Sequence, residues 1–353
     1  MNTPTTIIAV CACFAGIKTR LIDELVLRVK LYHNARNYDV CSRSYTHKHS
    51  YTHNRVPMMH IDDIDVDSYR YDGSRRFDLA SCATSVSKLY DDKKDYKTML
   101  GEYRKEIDAL QNTMYAHDRY GMLLVFQAMD AAGKDGTIRH VMSGVNPHGV
   151  FVSAFKKPSD EELDHSYLWR SNRQMPARGR LRIFNRSYYE EVLVVRVHPE
   201  ILQRYQRVPD ALKANPEQVW QQRYTDIRAM EQYEANNGIV VVKFFLNLSR
   251  DEQRRRFIDR IDRPEKNWKF SDADVKERAY WDDYMEAYET AINQTASAHA
   301  PWYVIPADDK RNMRLIVSKV VLRHLQAMPM HYPEVNDAQR AALAEMKKAL
   351  LND

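Results

Sequence analysis

A chain of 353 residues with 44% hydrophobic and 29% charged side chains has material for a substantial core and a water-facing surface. Its formal charge of +5 gives no argument for nucleic-acid binding, yet tolerates a polyanionic ligand. The four cysteines (Cys11, Cys13, Cys41 and Cys82) make no disulfide framework and no paired zinc motif, a pattern that suits a reducing, cytoplasmic setting.

Residues 1–64 read as an N-terminal extension. The run "TTIIAVCACFAGIK" is too short to span a bilayer and lacks a basic leader, so no membrane partner is expected. The near-repeat "SYTHKHSYTH" places His47, His49 and His53 in a polar tract without Cys, Asp or Glu. A poorly ordered segment is expected there rather than a metal site.

From Tyr96 the pattern turns helical. Tyr96, Leu100, Tyr103, Ile107, Leu110 and Met114 form one apolar stripe. "MLLVF" (122–126) then reads as a buried strand, as do "LRIF" (181–184), "GIVVVKFFLNL" (238–248) and "WYVIPA" (302–307). Helical stretches are predicted at 217–236, 250–262, 272–295 and 311–327. Strands alternating with helices predict one α/β domain from about residue 65 to 330, built on a parallel sheet.

The first strand leads into "VFQAMDAAGKDGTIRH", residues 125–140. The layout is that of a phosphate loop, although Ala128 replaces the first Gly of the usual pattern and Asp135 follows the lysine. A helix opening at Gly133 aims N–H groups and its dipole at an anion, and Lys134 adds a point charge. Gly133 and Gly136 allow close backbone approach. By itself the stretch is equally readable as an ordinary strand-to-helix turn. Asp130 tips the balance, because a carboxylate beside phosphate calls for a cation such as Mg²⁺ between them. The charge of Asp135 is favoured at a helix start.

Two later segments add to this. In "RIFNRSYYEE" (182–191) the strand end carries Asn185, a weaker Mg²⁺ partner than Asp, with Arg186 placed to clamp phosphate and Glu190 and Glu191 nearby. In "LSRDEQRRRFIDRIDRPEKNWK" (248–269), Ser249 and Glu252 suggest a capping box. Asp251–Arg255 and Glu252–Arg256 are predicted i,i+4 pairs, leaving Arg250, Arg254, Arg260 and Arg263 for phosphate. A solvated charged face is the plain alternative for this helix taken alone. The three segments together favour phosphoryl transfer, with the helix as a closing lid.

The motifs "FQAMDAAGKDGTIRHVMSGVNP", "FNRSYYEEVLVVRVHPE", "FFLNLSRDEQRRRF", "DRPEKNWKFS" and "APWYVIPADDK" resemble the family-2 polyphosphate kinases. Within that family they resemble the subgroup acting on nucleoside mono- and diphosphates, over about Asp65 to Pro333. With those bounds the domain is 65–333, and a helical tail is expected at 334–353. The resemblance implies an α/β, P-loop kinase-like three-layer fold, with a parallel sheet between helices and an arginine-rich helical lid at about 248–270. It also implies Mg²⁺-dependent transfer (with Mn²⁺ as substitute) between inorganic polyphosphate and AMP or ADP, with GMP and GDP as further acceptors, by a homo-oligomer.

By resemblance, Asp130 holds the metal, with Asn185 and Glu190 as its neighbours. Ala132, Gly133, Lys134, Asp135, Gly136 and Thr137 line the phosphate cradle, and Asn185 and Arg186 form a second strand-end element. Arg254, Arg255 and Arg256 belong to the lid. "SAFKKPSDEELDHSYLWR" matches the segment beside the acceptor, nominating Lys156, Asp164, His165 and Arg170. Arg311 departs from the aromatic residue usual after "ADDK", and nothing is assigned to it. The rival readings are an ATP-dependent nucleotide kinase of the thymidylate-kinase type and a non-catalytic polyanion binder.

Overall fold

The computed structural model describes residues 63–268 and 271–352. All but the last two residues of the expected extension, including Cys11, Cys13, Cys41 and the histidine tract, lie outside the described residues. Ile64, the last residue assigned to the extension, is already buried in the core.

Among the described residues six strands form one sheet: β1 Arg70–Tyr71, β2 Gly121–Gln127, β3 Val150–Ala154, β4 Leu181–Asn185, β5 Ile239–Asn247 and β6 Trp302–Pro306. Their order is β1-β6-β5-β2-β4-β3, with β1 antiparallel to β6 and every other pair parallel. The helices that bear on the site and its packing are α1 Lys93–His117, α2 Lys134–Val141, α3 Pro216–Asn236, α4 Arg250–Ile261, α5 Pro264–Asn267, α6 Asp272–Glu277, α7 Trp281–Thr295, α8 Lys310–Gln326 and α9 Asp337–Leu351. Among the described residues no helix is long and apolar enough to cross a membrane.

Every residue of β2 is buried, as a central parallel strand covered on both faces requires. Alternate residues feed two cores. Met122, Leu124 and Phe126 pack with α1, α2 and α8, whereas Leu123 and Val125 pack with α3 and α7. This is the expected three-layer arrangement. The stripe read from the sequence lies on α1, where Asp92 caps the helix by accepting from the Lys94 and Asp95 amides.

Three elements differ from the sequence expectation, and the two-residue strand β1 is one of them. β3 was not anticipated; it is a short edge strand, with Phe151 and Val152 exposed, so it shows no buried alternation. The helix predicted over 272–295 is interrupted by a 3₁₀ turn at Arg278–Tyr280. The break lies where Arg278 Nη1 donates to Arg250 O (2.7 Å) and Gln253 Oε1 (2.8 Å), tying the turn to α4.

Beneath the end of β4 runs a buried polar network. Lys243 of β5 donates to Glu231 Oε2 (2.6 Å), Tyr189 Oη (3.1 Å) and Thr295 O (2.9 Å), which uses its three protons. The Tyr188 and Tyr189 hydroxyls both reach Glu231 Oε1 at 2.9 Å. Desolvation lowers the Lys243 pKa and Glu231 opposes it. The network locks the turn that follows Arg186 onto β5, α3 and α7.

Candidate active site

The parallel strands end together. Phe126 is in register with Asn185, and Asn185 with Ala154, so the segments leaving β2, β3 and β4 meet at one edge of the sheet. In open α/β sheets, the crevice beyond the carboxyl ends of the strands is where ligands bind.

The loop after β2 turns at Ala131, φ 62°, and reaches Gly133, φ 104°, which is the N-cap of α2. A side chain at Gly133 would be strained in that left-handed backbone, so glycine is required there. Lys134 opens α2 and folds its ammonium back over the loop, donating to Ala128 O at 2.7 Å and Met129 O at 3.5 Å. Desolvation lowers its pKa, while Asp130 acts most strongly in the opposite direction.

Asp130 Oδ1 accepts from Arg186 Nη2 at 3.0 Å, and Arg186 Nη1 stands 3.5 Å from Glu190 Oε2. Burial works against the Arg186 charge, but Glu190 and Asp130 outweigh it and raise its pKa. Arg186 has φ 63°, a left-handed backbone that costs a residue with a Cβ about 1–2 kcal/mol. Its amide is anchored to Phe126 O at 3.1 Å. Glu190 Oε1 accepts from Gln127 Nε2 at 2.9 Å, a partner the sequence reading missed because the two residues stand 63 positions apart. Asn185 Nδ2 donates to Asp135 Oδ1 at 2.5 Å, linking the second strand end to the loop helix. Asp130, Lys134, Asp135, Asn185, Arg186 and Glu190 thus form one charged cluster.

Several expectations need correction. Thr137 is fully buried and its hydroxyl lies 3.7 Å from the Met313 sulfur, so it faces α8 instead of lining the cradle. Ala132 is also buried, and its amide already reaches Met129 O at 3.3 Å. Glu191 points away from Glu190 into a buried set with Arg223 and Gln206, where burial raises its pKa against their opposing pull.

The lid arginines differ most. Arg255 pairs bidentately with Glu252 (2.6 and 2.5 Å), so the Asp251–Arg255 pair does not form; Asp251 meets Arg254 at 3.2 Å. Arg260 meets Asp274 at 3.2 Å and Arg263 meets Asp259 at 2.8 Å, so neither is left over for phosphate. The Ser249 hydroxyl caps α4 at the Glu252 amide (3.1 Å), but Glu252 turns to the arginines and the Ser249 amide goes to Asp308 Oδ1 at 2.8 Å. The capping box is half made. Arg256 is buried and donates only to protein acceptors, so it is not a lid arginine facing solvent.

The acceptor candidates separate into two cavities that share Arg170 and Glu162. Lys156 and Arg170 line one of about 510 Å³, with Lys157, Arg173 and Arg182 as further cations. Asp164, His165 and Arg170 line another of about 310 Å³. Arg170 is buried and donates to Lys156 O at 2.8 Å, so it holds this segment in place. Asp164 pairs with Arg207, and His165 stacks on Trp169 with centroids 4.0 Å apart.

The chain is similar to known proteins of one family. The family model described as polyphosphate kinase 2 matches residues 90–333. The ADP-polyphosphate phosphotransferase of Rhodopseudomonas palustris is 51% identical over 288 residues, 82% of this chain and 99% of that protein. The AMP/ADP-polyphosphate phosphotransferase of Meiothermus ruber is 45% identical over 246 residues, 70% of this chain and 87% of the other. The crystal structure of polyphosphate kinase 2 from Arthrobacter aurescens TC1 superposes with a TM-score of 0.70 at 35% identity, covering 82% of this chain and 99% of that one.

Proposed function

Because the chain belongs to the polyphosphate kinase 2 family, we propose that it phosphorylates ADP and AMP from inorganic polyphosphate, with GDP and GMP as further acceptors. The observation that carries the reading is the cluster at the strand ends, where a carboxylate, a desolvated lysine and an arginine converge beside a helix N-terminus. A terminal phosphate oxygen of the acceptor attacks the terminal phosphorus of polyphosphate. One P–O–P bond breaks, and the polymer leaves one unit shorter. That oxygen is already anionic near neutral pH, so no general base is needed, and positioning and electrostatics do the catalysis.

In this reading Lys134 and Arg186 offset the charge on the transferring group, and the amides at the start of α2 orient it. The donor set suits Mg²⁺, with Mn²⁺ as substitute. Asp130 Oδ1 is engaged by Arg186 while none of the described residues hydrogen-bonds its Oδ2, Glu190 is adjacent, and Asn185 is a neutral neighbour. Among the described residues no group of three or more His, Cys, Asp or Glu gathers to cage an ion. That agrees with a metal taking one or two carboxylates and completing its shell from phosphate and water. When bound, the metal neutralises phosphate charge.

Lys156, Asp164, His165 and Arg170 form the acceptor side of this proposal, and Arg254 and Arg255 remain the lid cations exposed to solvent. The proposal further includes a cytoplasmic location and a homo-oligomeric state. The test incubates the protein and Mg²⁺ with polyphosphate, or in parallel with ATP, and each of AMP, ADP, GMP and GDP, and resolves the products by chromatography. Product from ATP but none from polyphosphate would establish the thymidylate-kinase-type alternative instead.

A further inference from the structure

Three consecutive carbonyls of the phosphate loop are held from outside by two side chains of α4. Asp130 O accepts from Gln253 Nε2 at 2.9 Å, and Ala131 O and Ala132 O accept from Arg256 Nη1 at 3.1 and 2.8 Å. Gln253 is 2% exposed and Arg256 5%. A loop that offers N–H groups to an anion has to turn carbonyls the other way, and each needs a donor there. Ala131 sits at φ 62°, a conformation that persists in a residue with a Cβ only where its surroundings hold it.

Both donors are fixed in turn. Gln253 Oε1 accepts from Arg278 Nη1 at 2.8 Å, which sets the amide so that its NH₂ faces Asp130 O. Arg256 Nη2 donates to Ala307 O (2.7 Å) and Asp308 O (3.0 Å) beyond β6, and its Nε donates to Glu252 Oε1 (2.7 Å). All five guanidinium N–H groups are used. Direct contact with phosphate would require Arg256 to abandon these acceptors.

We propose that Gln253 and Arg256 are positioning residues for phosphoryl transfer, holding the loop carbonyls at 130–132 outward so that the loop faces the anion with its N–H groups. This rests on the phosphate-loop reading above. Arg256 then acts on the loop and not on polyphosphate, and the uncharged Gln253 shares its task.

The test compares the full chain with Gln253→Met, which keeps the side-chain length and removes the donor, and with Arg256→Lys, which keeps the charge and loses the fork. Amide hydrogen exchange without substrate is expected to rise at least about tenfold over residues 129–137 and to stay unchanged across β5, as loss of local order predicts. With polyphosphate and ADP, kcat is expected to fall on the order of 10²-fold while both KM values hold, the loss that ångström-scale misplacement produces. Unchanged exchange in the loop would overturn the proposal, as would a loss expressed wholly in the KM for polyphosphate. If Arg256→Lys does not fold, Gln253→Met decides alone. A wild type that transfers nothing from polyphosphate would remove the functional reading, and the exchange comparison would still decide whether the two side chains hold the loop.

Discussion

Asp130 stands between two partners, since Arg186 occupies one of its oxygens and the proposed metal claims the carboxylate as well. Asp130→Asn keeps the shape and removes the charge, so a loss of about 10²–10⁴-fold in turnover is expected, with Lys134→Ala similar, as for other groups that stabilise transition-state charge. Near-normal turnover in either folded variant would end the loop assignment. The first substitution also has a pH signature. Desolvation lowers the Lys134 pKa and Asp130 holds it up, so Asp130→Asn lets it fall further and the ammonium is lost at lower pH. The alkaline limb of the residual activity should therefore move to lower pH, read from initial rates across pH 7–10. Asn185 offers a second test, because Asn185→Asp would set a carboxylate against Asp135 where an amide now donates at 2.5 Å. Two facing carboxylates favour a cation, so half-saturating Mg²⁺ is expected to drop. The rate with AMP relative to ADP should fall with it; an unchanged ratio across a Mg²⁺ titration removes Asn185 from acceptor choice. Asp130, Lys134, Asn185 and Arg186 were legible because each sits at a strand end or helix start that local pattern can find. The Asn185–Asp135 bond spans 50 positions and Arg256 to Ala132 spans 124, distances at which charge counting along a helix sees nothing.

At the scale of elements, β2, β4, β5 and β6 were legible as apolar runs, since parallel strands covered on both faces carry no polar alternation. The two edge strands lack that signal: β1 has only two residues, and β3 exposes two large apolar side chains. The contact between β6 and α8 contains a titration that pattern reading did not reveal. Tyr303 Oη and His324 Nε2 lie 3.0 Å apart, and burial, with Arg323 and Arg70 nearby, lowers the His324 pKa to about 4. The unfolded value is near 6.5, so the unfolded chain binds a proton that the folded one refuses. The contribution is complete above about pH 6.5 and is lost as pH falls toward 4, on the order of 3 kcal/mol over that window. His324→Gln keeps a hydrogen-bonding partner for Tyr303 and cannot titrate there. Urea midpoints measured from pH 7 to 4.5 should fall less steeply in the variant than in the wild type. Parallel slopes would show that the acid sensitivity lies elsewhere.

For the whole molecule, the Rhodopseudomonas palustris relative aligns over 99% of its own length with only 82% of this chain, and the family match occupies residues 90–333. Deleting residues 1–60 is therefore expected to leave transfer within a few-fold; loss of active protein would make that segment part of the working unit. At the opposite end the proposed homo-oligomer can be tested. Helix α9 buries none of its residues, yet Leu343, Met346 and Leu350 repeat along one stripe, each more than half exposed. A 15-residue helix with no packed face is marginal in water, even with the capping box that Asn336 and Gln339 supply. A second copy of the chain, covering the stripe in a symmetric pair, would give it the burial it lacks, as proposed homo-oligomers of this kind do through self-complementary patches. Sedimentation of the full chain should then give a multiple of 41.5 kDa, and a chain ending at Glu334 should lose at least one level of assembly while keeping its thermal midpoint. A full-length monomer at micromolar concentration would refute the oligomer. An oligomer unchanged by the truncation would clear α9 of that role.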